Sequence, residues 1–208
     1  MEAVIKREAA RGRREQTKVQ NRDAILAAAR KVFSEIGFGA ATVRDIIRAT
    51  PLASGTFYNY FKSKEEVYQA IRDDVALAIR PRLREERIKA DSVEAFISGS
   101  FRTFFEFVSR NREDFRHLRH AADASRLRID TPEVIAGFGE LREDLEAAMT
   151  AGLFPDVDAD FLMAAIVGVA FEIAERMLSR EEQDPAAAAA FATALFLGGV
   201  RTLPKKGT

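Results

Sequence analysis

Apolar residues recur along this chain at three- and four-residue intervals, and no stretch shows the every-second-residue alternation of a half-buried strand. Between Asn21 and Ile36 they fall at Ile25, Leu26, Ala29, Val32, Phe33 and Ile36, the stripe of one helix. Gly37 stands where helices commonly end in a left-handed residue, and Phe38 follows in a short loop. Thr42 is a good N-cap for a short helix that buries Val43, Ile46 and Ile47. Thr50-Pro51 stops it, because proline has no amide hydrogen and restricts the residue before it. A second short helix begins near Ala53 or Ser54, with Phe57 and Phe61 on one face and Ser54, Thr56, Tyr58 and Asn59 elsewhere. Ser63 and Glu66 then make a capping box for a longer helix, in which Val67, Tyr68, Ile71, Val75 and Ile79 face inward. That helix is expected to run over residues 64–80, with Pro81 ending or kinking it.

The second half is equally helical in pattern. Ser92 to Ser109 carries Phe96, Phe101, Phe104, Phe105 and Phe107, and Arg112 to Ala122 carries Phe115 and Leu118. Thr131-Pro132 opens another helix, with threonine as N-cap and proline at the first helical position. Its expected stripe is Ile135, Phe138, Leu141, Leu145 and Met149, and Gly152 closes it. Asp158 to about Arg180 is apolar on nearly all sides until Glu172, and Pro185 to Val200 has no charge. Helices apolar all round are buried. Two at the end of so short a chain point to burial against a second copy over residues 158–200, a monomer core being the other way to hide them. The expected fold class is all-α.

Composition changes this picture in one respect. The 208 residues carry 32 Lys/Arg and 32 Asp/Glu, a net charge of zero. Residues 1–64 hold 13 Lys/Arg against 6 Asp/Glu, a net of +7, so the remainder carries −7. A basic head on an acidic body suits a polyanion met by one domain only. The first twenty residues contain Lys6, Arg7, Arg11, Arg13, Arg14 and Lys18 with few apolar neighbours. An arm that follows the DNA backbone or enters the minor groove fits them, and so does a solvated tail. There is no cysteine, hence no disulfide framework or thiolate metal site, which agrees with a reducing cytoplasm. The apolar run from Phe161 to Phe171 is too short to cross a bilayer.

Two helices joined by a tight turn, the second short, aromatic and small-polar, make a helix-turn-helix. Ser54, Gly55, Thr56, Tyr58, Asn59 and Tyr60 are the short or flat donors and acceptors that such a helix brings to base edges and phosphates. Lys64, at the start of the next helix, and Thr42 and Arg44, at the start of the preceding one, stand where helix amides favour a phosphate. His117 and His120 are spaced for one helix face, but no cysteine joins them and Arg116 and Arg119 interleave, so a polar surface or pocket lining suits them better than a metal. No Gly-x-Ser-x-Gly elbow or glycine-rich phosphate loop is present, so neither catalytic residues nor a cofactor are expected. The sixteen phenylalanines form a large core. An apolar effector pocket among them would be lined by some of Phe101, Phe104, Phe105, Phe115, Phe138 and Phe171, with Arg119 or His120 for polar recognition.

The segment GTFYNYFKSKEEVYQAI, preceded by TVRDII and by the helix AILAAARKVFSEIGFGAATV, resembles the DNA-binding segment of the TetR/AcrR family of bacterial transcriptional regulators over residues 20–72. The resemblance implies a homodimer with a DNA-binding domain at residues 21–66 after the 1–20 arm, and a ligand-sensing and dimerising domain at 67–204. It makes Tyr58 a phosphate contact and the last two helices the dimer interface. It implies a one-component regulator, a repressor that a small apolar or amphipathic effector releases from a palindromic operator in double-stranded DNA. One departure stands out. Where the family has Ala-Gly-Val-Ser in its turn, this chain has Thr50-Pro51-Leu52-Ala53, which leaves Ser54 as the next candidate cap. Two other functions fit a helical chain with a basic head: an enzyme, for which no catalytic set is visible, and a DNA-bending protein with no effector.

Overall fold

The computed structural model describes residues 2–115, 131–199 and Leu203, and these form eight helices, one further helical turn at 112–115 and no strand. They are α1 (Glu2–Ala40), α2 (Val43–Arg48), α3 (Ser54–Tyr58), α4 (Lys64–Lys89), α5 (Val93–Arg110), α6 (Pro132–Thr150), α7 (Ala159–Leu178) and α8 (Pro185–Gly199). The described residues fall into two compact units, and the division lies inside α4, between Arg72 and Asp73.

The first unit is a small three-helix head closed by the opening turns of α4. Ile25, Leu26, Ala29, Val32 and Phe33 of α1 meet Ile46 of α2, Phe57 of α3, Phe61, and Val67, Tyr68 and Ile71 of α4. Gly37 breaks α1 with φ 77° and ψ 155°, a conformation in which an L side chain is strained. That break drops Phe38 into the core, where its ring lies 5.3 Å from Phe33 and 4.9 Å from Tyr68. Burial pushes the Tyr68 hydroxyl up to about 12.

In the second unit α5 packs chiefly on α8. Phe101 stacks on Phe105 at 5.9 Å and meets Phe196 of α8 at 5.5 Å. Phe104 touches Phe105, Phe115 and, on α7, Phe171. Gly152, at φ 76°, ends α6 and returns Leu153 N–H to the Ala148 carbonyl, which tucks Phe154 against Phe96.

Four expectations need correction. The helix expected from Asn21 starts at Glu2, so the basic arm is part of α1. Ile36, counted with its stripe, is exposed just before the Gly37 break. The linking helix does not stop at Pro81 but continues to Lys89. Pro81 removes the bond to the Leu77 carbonyl, but Leu77 is exposed and water can serve that oxygen. On both sides of it, ion pairs hold the helix onto α6: Arg80 to Glu133 and Glu140, Arg84 to Glu140, and Arg87 to Asp144. Finally, α6 buries Leu141, Leu145 and Ala148 while Ile135 faces outward, because Ile135 lies about 120° around the helix from Leu141.

Candidate nucleic-acid interface

The first helix of the pair is fixed locally. The Thr42 hydroxyl accepts from Asp45 N–H at 3.2 Å, and the Asp45 carboxylate accepts from Thr42 N–H at 3.0 Å. The Thr42 hydroxyl also donates to the Asp45 carboxylate at 2.5 Å, and this bond foremost, with the one from Thr42 N–H, holds the Asp45 carboxyl below its ordinary range. Ile46 is buried beneath α2, while Arg44 and Arg48 are exposed.

The turn holds without a glycine. The Thr50 hydroxyl donates to the Ile47 carbonyl at 2.8 Å and accepts from Leu52 N–H at 3.2 Å. Leu52 packs on the core. Ala53, extended at φ −68° and ψ 150°, is the N-cap of α3 and makes no side-chain bond. Ser54 is therefore the first helical residue and not the cap.

Phe57 is 1% exposed, and Phe61 lies 6.2 Å from it, so this face of α3 turns into the core. Ser54, Gly55 and Asn59 are exposed, Thr56 is half-buried, and Tyr58 is 58% exposed. Tyr60 is placed differently: it packs on the core, and its hydroxyl accepts from the Asn21 side-chain amide at 3.3 Å.

Lys64 also turns inward. Its ammonium donates to the carbonyls of Phe38, Gly39 and Ala41 at 2.8, 3.2 and 2.8 Å, and it lies 4.7 Å from the Phe38 ring centre. The carbonyls that α1 leaves unpaired at its C-terminus thus receive a cation from the start of α4. This clamps the short segment from which α2 begins. The next cap is the expected one, with Glu66 N–H on the Ser63 hydroxyl at 3.2 Å, although the Glu66 carboxylate returns to Lys62 N–H and not to Ser63.

Sequence reasoning missed two residues here. Arg48 is a basic side chain at the exposed end of α2, visible as charge but not as position. Thr50 supplies the turn, and its signal was the Thr-Pro pair read only as a stop.

The candidate effector residues divide. Phe101, Phe104, Phe105 and Phe115 are buried, and their rings pack on one another. Phe171 joins them at the edge and is partly exposed. Phe138 is half-buried on α6 and is not in that ring cluster. Arg119 and His120, with His117, lie outside the described residues. Among the described residues no cluster of metal-ligating side chains is present, and no helix is long and apolar enough to cross a membrane.

This head is one that other proteins share. The profile of the family described as bacterial regulatory proteins, tetR family, matches residues 25–71. HTH-type transcriptional regulator UidR of Escherichia coli (strain K12) is 31% identical over 204 residues, covering 90% of this chain and 96% of that protein. Among solved structures, the fatty acid degradation regulator FadR from Bacillus halodurans is similar with a TM-score of 0.73 and 26% identity, over 87% of this chain and 96% of that one. FadR from Bacillus subtilis, solved in complex with stearoyl-CoA, shares the fold with a TM-score of 0.70 at 18% identity, over 85% of this chain and 98% of that one. The chain therefore belongs to the tetR family of bacterial regulatory proteins, DNA-binding transcriptional regulators rather than enzymes.

Proposed function

We propose that this regulator is a homodimeric repressor, with a DNA-binding head at residues 21–66 and a ligand-sensing and dimerising body at 67–204. Each α3 enters a major groove of a palindromic operator, and an amphipathic small molecule releases it. The observation that carries the DNA reading is the division of α3. Phe57 and Phe61 hold one face inside, and Ser54, Gly55, Thr56, Tyr58 and Asn59 are left on the other, within the basic part of the chain. Two such helices related by a two-fold axis read half-sites about 34 Å apart or a multiple of that. Arg44 and Arg48 on α2 and the hydroxyl of Tyr58 meet phosphates. Thr42 belongs to the same contact through the amides at the start of α2. The charge of Lys64 reaches the DNA only through the loop it clamps.

Operator selection from random DNA at stated salt, followed by affinity measurements on variants, tests this. Thr56→Ala and Asn59→Ala lose preference at particular base pairs, each by about 1–3 kcal/mol. Tyr58→Phe weakens all sequences alike. Lys64→Met lowers the melting temperature, in keeping with the loss of about 2 kcal/mol of charge-assisted hydrogen bonding, and leaves the salt dependence unchanged. Uniform losses for Thr56→Ala and Asn59→Ala would show that this face of α3 does not read bases.

The dimer reading rests on exposed apolar surface. Phe161 on α7 is 77% exposed, and Phe191 on α8 is 64% exposed, with Leu195 beside it one turn on. Phe191→Arg probes this surface. It leaves an unpaired charge in an apolar interface, and sedimentation at micromolar concentration then gives monomers where the parent gives dimers. A parent protein that sediments as a monomer would sink the proposal.

An amphipathic effector is supported by the aromatic interior of the second unit, where Phe138 and Phe171 retain accessible ring surface, and by the stearoyl-CoA complex of the Bacillus subtilis FadR. Long-chain acyl thioesters are accordingly the first compounds to try. Release requires that the effector bind better to the geometry that does not fit DNA.

A further inference from the structure

Residues 12–20 of α1 bury nothing. Every residue from 12 to 20 is exposed, yet the segment is helical, with the Thr17 hydroxyl bonded to the Arg13 carbonyl at 2.9 Å. Its helicity is propagated from the packed turns that begin at Ile25, since a helix already nucleated extends at little cost through good formers such as Arg, Glu, Gln and Lys. Between residues 12 and 20 the charges are Arg13, Arg14 and Lys18 against Glu15, and the one sizeable apolar side chain is Val19. That composition offers nothing to a lipid surface and nothing to an apolar groove.

Its direction is set by Asn21. Arg14, Lys18 and Asn21 are spaced i, i+4, i+7 and so share one face of α1. On that face the Asn21 amide donates to the hydroxyl of Tyr60, two residues past the end of α3. The basic stripe therefore continues, along a helix unbroken before Gly37, the side of the head that carries α3.

We propose that this extension of α1 is a rigid basic rail, which lays Arg14 and Lys18 on the phosphates of the DNA flanking each half-site. The proposal rests on the reading of α3 as the element that enters the major groove. Arg14 stands seven residues before Asn21, about 10 Å along the helix axis, or roughly three phosphate steps of one strand. The contacts thus fall outside the base pairs that α3 covers and carry no sequence preference.

The test measures operator affinity against salt on two fragments, one with long flanks and one trimmed to the half-sites. The proteins are the parent, the double variant Arg14→Ala/Lys18→Ala, and Thr17→Pro, which keeps every charge and breaks the helix. On the long fragment the double variant loses about 0.9 of slope per contact, about 1.8 per subunit, with unchanged melting. Trimming flattens the parent's slope and leaves that of the double variant as it was. Thr17→Pro detaches Arg14 and leaves Lys18 on the intact part of the helix, so it loses about 0.9 of slope per subunit, half the loss of the double variant. A double variant with the parental slope overturns the rail and leaves the operator reading intact. A Thr17→Pro protein with the parental slope, beside a flattened double variant, overturns it in favour of a flexible polycationic tail. A parent that prefers no selected fragment over random DNA overturns the operator reading and the rail with it.

Discussion

Phe57→Ala removes operator binding and loosens the first unit while the second unit keeps its fold. Phe57 is the one buried residue of α3, and a five-residue helix has no stability of its own. The ring meets Tyr58 at 5.4 Å and Phe61 at 6.2 Å. Its deletion leaves a cavity in a core to which α1, α2 and α4 all contribute, and such a change costs about 3–5 kcal/mol. A unit of this size is stabilised by a comparable amount, so most of its margin is lost. Hydrogen exchange should report faster exchange in α1–α3 with little change in α5–α8. Affinity for the selected operator should fall below detection. If the variant binds at parental strength, α3 is not held by this ring, and the division of its faces has been misjudged.

Asp144→Ala lowers the melting temperature of the protein by roughly 6–12 °C, the equivalent of about 3 kcal/mol in a chain of this length. The side chains of Arg87 and Asp144 are 5% and 13% exposed, and Arg87 Nε lies 2.7 Å from Asp144 Oδ2. Removing the carboxylate strands a guanidinium that cannot shed its charge. The same helix pair carries Arg80 between Glu133 and Glu140, and the Arg80 hydrogen bond holds the Glu140 carboxyl below its ordinary range. These outer pairs are more exposed and contribute less. The companion variant Arg87→Met/Asp144→Leu should recover most of the loss, because a buried pair replaced as a whole by apolar groups leaves no orphan charge. A single variant that melts within a degree of the parent would show that water reaches Arg87 freely. Because α4 also enters the first unit, the operator affinity of Asp144→Ala measures how far this seam influences the DNA-binding head.

The features legible in the sequence are those whose interactions stay within a few residues. The caps at Thr42 and Ser63 join side chain to backbone three residues on, and the four-residue spacing of Phe57 and Phe61 marks the inward side of α3 and of the turn after it. The all-α class follows from the same short-range periodicity. The Thr50 turn was local too, but its side-chain bonds took the place of a glycine, and residue type alone did not announce that.

Tertiary structure decided the rest. Lys64 looks like a free cation at a helix start, but its three carbonyl partners lie 23 to 26 residues earlier and converge only after Gly37 bends the chain. Tyr60 looks like a neighbour of Tyr58, but its hydroxyl is taken by Asn21, 39 residues away. Pro81 reads as a helix end, and ion pairs to residues more than fifty positions later carry the helix past it. The phenylalanines of α5 read more readily as core than as pocket, and all five are buried, Phe101 against a ring of α8 and Phe104 against a ring of α7. Local rules assign each residue a conformation and a face. Which groups then satisfy a charge or cover a ring depends on chain folded back from far along the sequence, and no periodicity records that.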